Sequence, residues 1–380
     1  MAIDYYSLLE NTYGLEIKRL TAASGGQVAE CDDGRLYTFK QSRLSPEKLI
    51  CTQVALEHLS EQGFTEAQPF IVGENGLPFA SYGGSCYTLS PATAGRECAL
   101  EDAADLAAAS ALLARLHRAA VGFTAARAEE ALKKYEPLVQ ARAHRPRPVG
   151  DQPSDNADDS NDGEPSLLFQ AAPASLRFKC DLGKTPETFR KRAAELRRFR
   201  KVAKKRREPF DYEYSTIADY YCNKADEICA RLENSRYNVI SKQYEQSGCL
   251  CHREYTSHNI LMDKNSSAPK PIVVLGFDSV CIEMPIYDLA NFIRRRMRKC
   301  GWSAKDGEII VEEYDKVNTV TDDEKEILKL LLQFPQKLWR IVNKYYNSRR
   351  SWCEKNCLAK LQEVKSEKEP LSDFAENFLK

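Results

Sequence analysis

Two short polar segments of this chain carry the residue types that acid–base and phosphate chemistry requires. The first contains His252, Glu254 and Asn259 and precedes a short apolar run. The second contains Asp278 and follows the apolar residues 271–275, with polar turn residues between the two runs. This pattern predicts a loop, a strand, a turn and a second strand that ends in polar residues. Such a hairpin brings a base, an amide and a carboxylate close together although they are far apart in the sequence.

The spacing of these residues resembles the aminoglycoside and choline phosphotransferase-like kinase family, which carries H-x-D-x-x-x-x-N followed by I-D-F or I-D-W. His252 and Asn259 match the first motif, and residues 285–290 follow at the family spacing. Glu254 stands where the family has the Asp that orients or deprotonates the acceptor hydroxyl. Gly276 stands where it has a metal-binding Asp.

The resemblance implies a role for each of these residues. His252 and Glu254 take the catalytic positions, and Asn259 contributes to nucleotide and metal binding. Asp278 is a substitute metal ligand, because residues 276 and 278 of an extended strand point to the same side. The alternative is that Asp278 keeps a separate role, since similar sequences have an acid there in addition to the metal-binding Asp. ATP and Mg²⁺ are the cofactors if the site is active, and a protein without any cofactor is the alternative.

Residues 1–89 are predicted to form a small lobe. Strands are expected at residues 15–21, 27–31 and 35–40, followed by a helix at 46–62 and strands at 77–82 and 85–89. Asp33-Gly34 is a strong hairpin signal. Three strands, one helix and two strands is the order of a kinase small lobe. The predicted fold is therefore α+β and protein-kinase-like, with a small antiparallel-sheet lobe and a larger, mainly helical lobe.

The small lobe offers candidate nucleotide-binding residues. Lys40 ends the third strand, where the family keeps the lysine that contacts the nucleotide phosphates. Gly25 and Gly26 form a turn whose backbone N–H groups are suited to phosphate. Without that context, a solvated lysine and a plain hairpin turn explain the same residues. Glu57 and Gln53 fit the helix position that pairs with Lys40 about equally well.

Residues 90–380 are predicted to form the helical large lobe, with a catalytic-loop hairpin at 249–280. His117, near the end of a predicted helix, is interpreted as a packing residue. Asp288 is expected to bind backbone amides near the catalytic loop. Residues 142–173 are rich in Pro, Gly, Ser, Asn and Asp, and residues 151–164 contain six acids and no base. This composition predicts a disordered acidic insertion.

A basic amphipathic helix is predicted around residues 190–207, which contain eleven Lys or Arg. Such a helix can bind RNA, anionic lipid or an acidic protein. A solvated face whose aliphatic stems cover the large lobe is the favoured interpretation, because no aromatic stacking set accompanies the charges. Nucleic acid is therefore not the expected partner.

Composition and charge limit the kinds of partner, metal site and cellular location that are expected. Lys plus Arg equals Asp plus Glu, at 55 each, so net charge favours no polyanionic partner. The 13 Cys are scattered, and Cys249-x-Cys251 has no matching second pair, so a zinc site is not expected. The sequence shows no signal peptide and no apolar stretch of the length that spans a membrane. A cytoplasmic protein with reduced thiols is expected.

Three further segments resemble the CotS-type spore coat proteins of endospore-forming bacteria. They are LGK-x-P-x-x-F-x-x-R at 182–192, F-D at 210–211 and the run from LLQFPQKLW to YYNSRRSW at 331–352. The resemblance implies a final location in the spore coat and other coat proteins as partners.

Three functions follow from these observations. The first is a degenerate phosphotransferase that acts as a coat scaffold or assembly factor. The second is an active ATP-dependent kinase of a sugar or other small hydroxyl compound, with Glu254 as base and Asp278 as metal ligand. The third is a polyanion-binding module that uses the basic helix.

Overall fold

The computed structural model describes residues 4–23, 26–143, 176–206, 208–262, 272–347 and 354–380. These residues form two compact units. The first comprises Met1–Arg96, Gly122–Lys179 and Leu261–Val280, and the second comprises Glu97–Val121, Cys180–Ile260 and Cys281–Lys380. The division of the chain at 89/90, which is continuous in sequence, stays a prediction. Gly25 and the predicted acidic insertion from residue 144 onward lie outside the described residues.

The first unit is built on a five-stranded antiparallel sheet with the order β1-β2-β3-β5-β4. Its strands are β1 (Ile17–Ala23), β2 (Gly26–Cys31), β3 (Leu36–Ser42), β4 (Ala80–Tyr82) and β5 (Ser85–Pro91). The register places Lys40 opposite Thr88. Phe39 and Tyr87, on adjacent strands, stack at 5.4 Å between ring centroids in the core of the sheet. All five predicted strands are confirmed.

The described residues of this unit form four helices: α1 (Tyr5–Tyr13), α2 (Pro46–Glu61), α4 (Ala125–Lys133) and α5 (Glu136–Ala143). The predicted helix at 46–62 is confirmed as α2, and the Ser45 hydroxyl accepts a hydrogen bond from the Lys48 N–H at its N-terminus. The strand β8 (Ile272–Val274) also lies here, and the Val274 N–H donates to the Glu66 carbonyl at 2.8 Å.

The second unit is mainly helical. Its helices are α3 (Ala103–Ala119), α6 (Thr185–Ala203), α7 (Pro209–Asn234), α8 (Tyr237–Ser247), α9 (Ile286–Cys300), α10 (Ala304–Asp315), α11 (Asp322–Gln333), α12 (Gln336–Asn347), α13 (Glu354–Ser366) and α14 (Lys368–Asn377). Two short strands, β6 (Arg96–Glu97) and β7 (Ile260–Met262), each contain a point where one unit ends and the other begins, and the strand order of the second sheet is β6-β7-β8. None of the helices in the described ranges has the length and apolar character needed to cross a bilayer.

The predicted basic helix is α6, and its charges face acids of the neighbouring helix α7. Ion pairs join Arg190 to Glu233 at 2.5 Å and Arg200 to Asp219 at 2.5 Å. On the apolar side, Phe189 and Phe199 are buried. Pairs as exposed as these add little stability, but they neutralise part of the positive charge of the helix. The observed contacts agree with the interpretation of a solvated helix face.

Candidate functional site

The loop at 252–259 is held by the carboxylate of Asp288, at the start of α9. Its two oxygens accept hydrogen bonds from the His252 N–H at 2.5 Å and the Arg253 N–H at 2.9 Å. The same carboxylate lies 3.3 Å from Nε2 of His117, whose Nδ1 is 2.7 Å from the Tyr314 hydroxyl. Asp288 and His117 are both buried. The expectations that Asp288 binds loop amides and that His117 is a packing residue are therefore confirmed.

Asp288 is a buried acid that stays ionised. Burial works to raise the pKa of its carboxyl group, but the hydrogen bond from His117, the nearby imidazole rings of His117 and His252 and the Arg253 N–H lower that pKa below its usual value. An ionised acceptor makes stronger hydrogen bonds than a neutral one. The loop is consequently fixed by charge-assisted bonds.

The structure brings His252, Glu254 and Asn259 together within this loop. Nδ1 of His252 accepts a hydrogen bond from the Glu254 N–H at 3.2 Å, and the Asn259 amide donates to the Glu254 carbonyl at 2.9 Å. Glu254 itself is exposed, whereas His252 is buried against the Tyr255 ring, at 6.0 Å between ring centroids. The loop therefore presents the Glu254 carboxylate on a fixed backbone. The catalytic and ligand roles of these residues stay predictions.

Arg253 has a backbone conformation that side-chain-bearing residues rarely adopt, with φ of 69°. Such strain persists only where the surrounding structure determines it, and it concentrates at functional sites. Here the Asp288 carboxylate provides that constraint. The guanidinium lies 3.7 Å from the Asp181 carboxylate and 5.8 Å from the centre of the Tyr287 ring. No pattern in the sequence indicates this strain.

The segment that follows β8 differs from the expected extended strand. The strand ends at Val274, and Gly276 adopts the left-handed conformation with φ 75° and ψ 49°. A short 3₁₀ turn, Phe277–Ser279, carries Asp278, which is exposed. The expectation that Asp278 shares the side of residue 276 on an extended strand is wrong, because the alternation of side chains does not continue through a left-handed turn.

Position 276, where the family resemblance implies a metal-binding Asp, is a glycine in this segment. Gly276 has no side chain, so the carboxylate that would come from this position is missing. Magnesium in phosphotransfer sites is commonly held by only one or two carboxylates besides the substrate phosphates, so the loss of one removes a large share of the donor set. Metal binding by Asp278 and Asn259 stays a prediction.

In the first unit, the packing of two strands explains why residue 26 is glycine, independently of any role in phosphate binding. A Cβ atom at Gly26 would lie 2.6 Å from the Phe39 carbonyl oxygen and 2.8 Å from the Lys40 Cβ, so only glycine allows the two strands to approach. Lys40 is half-buried on β3, and within the described ranges it forms no ion pair.

Neither candidate partner of Lys40 is observed to pair with it. The Gln53 amide is buried and donates to the Phe70 carbonyl at 3.2 Å, while the Glu57 carboxylate accepts from Lys134 at 2.7 Å and from the Tyr135 hydroxyl at 3.1 Å. The lysine–glutamate ion pair of active kinases is thus not formed by Glu57, whose acceptors are engaged elsewhere.

A buried group of His117, Cys251 and Asp288 has the residue types of a metal site, with candidate ligand atoms within 4.8 Å of one another. Their hydrogen bonds explain the group without a metal. The Cys251 thiol donates to the Met284 carbonyl at 3.1 Å, and Asp288 is occupied by backbone N–H groups and His117. We interpret the group as the packed support of the loop.

Glu283 is a second buried acid beside the loop, and sequence reasoning missed it. One oxygen accepts the N–H of Met284 at 2.9 Å. Burial raises the pKa of Glu283 to about 8, although the Met284 N–H and the charge of Arg253 act in the opposite direction. No repeat or motif marks Glu283 in the sequence, since its burial depends on the fold.

We expect Glu283 to make stability depend on pH. Its pKa is higher in the folded protein than in the unfolded chain, so the folded state binds the extra proton and loses stability as pH rises from about 4.5 to about 8. Glu283→Gln abolishes this loss and is expected to gain up to about 4 kcal/mol relative to the parent between pH 5 and pH 9. Urea denaturation at both pH values measures this difference. Glu245→Gln, at an exposed position, is the control, and an equal pH dependence in the parent and Glu283→Gln would contradict the expectation.

Comparison with known proteins identifies the family to which this chain is similar. The profile of the phosphotransferase enzyme family matches residues 32–314. Spore coat protein S of Bacillus subtilis (strain 168) is 20% identical over 375 residues, which cover 98% of this chain and 89% of that protein.

Solved structures show the same fold. The aminoglycoside phosphotransferase from Alicyclobacillus acidocaldarius has a TM-score of 0.71 at 20% identity, with coverage of 99% of this chain and 95% of that one. Amicoumacin kinase hAmiN, solved with AMP-PNP, Ca²⁺ and Ami, has a TM-score of 0.51 at 12% identity, with coverage of 95% and 92%. These likenesses confirm the α+β, kinase-like fold class. Since the family profile spans most of the chain, this protein belongs to the phosphotransferase enzyme family.

Proposed function

We propose that this chain is a kinase-like protein of the spore coat that acts as a scaffold or assembly factor and has lost efficient phosphotransfer. The similarity to spore coat protein S over 98% of the chain supports the coat location. Other coat proteins are the proposed partners.

Gly276 carries the proposal for lost phosphotransfer. Its left-handed backbone follows the end of β8, and the acid two residues later lies exposed on a 3₁₀ turn. Phosphotransfer depends almost entirely on positioning and on neutralising phosphate charge. Without a carboxylate at position 276, the site lacks one ligand for the metal ion that would position the phosphates and neutralise their charge.

An active kinase of a small hydroxyl compound is the second candidate, and the loop at 252–259 favours it. Asp288 fixes the loop backbone, and Glu254 presents a carboxylate to solvent. In this candidate Glu254 acts as base and Asp278 as metal ligand. The extra methylene of Glu254 displaces the carboxylate by about 1 Å, and a misplacement of that size can lower the rate about a hundredfold.

We propose ATP as the nucleotide of this fold, with Lys40, Gly25, Gly26 and Asn259 as its contacts. A structural relative, amicoumacin kinase hAmiN, holds the ATP analogue AMP-PNP. Binding without efficient transfer leaves the nucleotide as a structural ligand. Mg²⁺ is a cofactor only in the active-kinase candidate.

Genetic complementation in a spore-forming host that carries the gene tests the scaffold proposal. Deletion is expected to alter the set of proteins extracted from the coat, and Glu254→Gln is expected to restore that set as well as the unaltered gene does. A Glu254→Gln protein that is present at normal levels but fails to restore the coat would instead support the active kinase. A deletion without any effect on the coat would contradict both the location and the scaffold role.

A further inference from the structure

Five arginines from three helices gather on the second unit, and we call them the arginine cluster. The members are Arg192 of α6, Arg294, Arg295 and Arg298 of α9, and Arg340 of α12. The three helices are widely separated in sequence, so only their packing brings arginines from all three together.

Contacts between α6 and α12 place two members on one face. The Arg192 guanidinium donates to the Gln336 side-chain oxygen at 2.7 Å and lies 4.3 Å from the centre of the Trp339 ring. Arg340 follows Gln336 by four residues, which is about one helical turn, so it shares the side of α12 that holds Arg192.

Contacts between α9 and α12 bring in the remaining members. The Glu367 carboxylate forms ion pairs with Lys337 of α12 at 2.7 Å and with Arg298 of α9 at 3.8 Å. Residues of both helices therefore lie close to this carboxylate. Arg340 lies three residues after Lys337 and therefore on the same side of α12. Arg294 is held nearby through the Leu331 carbonyl.

The cluster carries more positive than negative charge. Arg298 has Glu367 as a partner, but in the described part of the chain Arg295 and Arg340 form neither a hydrogen bond nor an ion pair, and both are exposed. Burial and the charges of Arg298 and Arg340 together lower the pKa of Arg294 to about 9. Neighbouring positive charges repel one another, and an anion bound among them offsets this repulsion.

The cluster lies beside the proposed catalytic loop. Arg295 follows Asp288 by seven residues, so it occupies the same face of α9 about two turns away from the carboxylate that holds the loop. The part of Arg295 that is covered by neighbouring residues loses water, which lowers its pKa; the charge of Arg340 also lowers this pKa, and the charge of Glu254 raises it. Arg295 of the cluster therefore lies about two helical turns along α9 from the residue that fixes the loop carrying Glu254.

We propose that the arginine cluster binds the anionic group of a small hydroxyl compound, a carboxylate or phosphate, next to Glu254. This inference rests on the proposed function, because it assigns a ligand class to the acceptor side of the kinase-like fold. Guanidinium groups recognise both oxyanions by paired hydrogen bonds. A polyamine ligand would be repelled by the same charges, so cationic acceptors are excluded by this surface.

Titration calorimetry of the full chain without nucleotide tests the proposal. The probes are inorganic phosphate, glucuronate, glucose and glucosamine at equal ionic strength, so that phosphate is distinguished from carboxylate and the sugar ring from its charge. We expect phosphate or glucuronate to bind and glucose and glucosamine not to bind. Arg295→Gln and Arg340→Gln are each expected to weaken anion binding about tenfold.

Arg231→Gln is the matched control. It removes the same charge from an exposed position on α7 of the same unit, where the arginine pairs with Glu227. Binding by neither anion, or an equal loss in Arg231→Gln, would overturn the proposal. Because no nucleotide is present, that failure would concern the arginine cluster alone, whereas the coat complementation tests the proposed function separately.

Discussion

Asp288→Ala is expected to lower the free energy of unfolding by about 3–5 kcal/mol, because it breaks a buried charged network. The substitution leaves the N–H groups of His252 and Arg253 and the ring of His117 without their acceptor. The left-handed conformation of Arg253 also loses its constraint. Urea denaturation followed by circular dichroism measures the change.

Asp226→Ala provides the comparison for this loss. Asp226 pairs with Arg197 on the exposed surface of α7. Its removal is expected to change stability by no more than about 1 kcal/mol. If Asp288→Ala were as mild as Asp226→Ala, the carboxylate would not be what holds the loop.

Gly276→Asp combined with Glu254→Asp is expected to create magnesium-dependent ATP turnover. Asp is among the few residues that tolerate the left-handed region, so the φ of 75° at position 276 accommodates it. The new carboxylate supplies the missing metal ligand, and the shorter acid at 254 corrects a displacement that costs about a hundredfold in rate. Release of phosphate from ATP with and without Mg²⁺ measures the gain.

Gly276→Asn with Glu254→Asp is the matched control for the repaired protein. Asn has the size and backbone tolerance of Asp but lacks its charge, so it separates metal binding from a change in the turn. We expect the Asn variant to remain inactive. Equal turnover in the parent and in the repaired variant would show that Gly276 is not what limits the site.

The sheet of the first unit was predictable because its signals are local. Asp33-Gly34 marks the turn between β2 and β3, and the structure shows Gly34 at φ 80° with the Asp33 carboxylate accepting the Arg35 N–H. Ser45 and Pro46 mark the start of α2 in the same way. Turn and cap residues affect the backbone within three or four positions, so these signals can be recognised from the sequence without knowledge of tertiary contacts.

Helix α1 was missed although its caps are present. Asp4 accepts the N–H groups of Tyr6 and Ser7, and Gly14 ends the helix at φ 63°. Its three tyrosines have a preference for strands, and this preference weakens the helical signal of the cap residues. The cap residues were the available signal.

The missed features of the site depend on the assembled fold. The predicted strand ends at Val274 and a left-handed turn at Gly276 follows it, and the burial of Glu283 depends on its tertiary surroundings. The arginine cluster combines α6, α9 and α12, whose residues are more than a hundred positions apart at the extremes. Motif spacing, in contrast, located the 252–259 loop and its support by Asp288, because both belong to a pattern shared by the family.

The ATP affinity of the unaltered protein, measured by calorimetry with and without Mg²⁺, tests the central claim most directly. The claim is that the fold keeps a nucleotide site but lacks a metal site because residue 276 is glycine. We expect ATP to bind with an affinity that changes by less than about threefold when Mg²⁺ is added, which is below 1 kcal/mol. A tightening of about tenfold or more with Mg²⁺, abolished by Asp278→Asn, would contradict the claim and place the metal on Asp278.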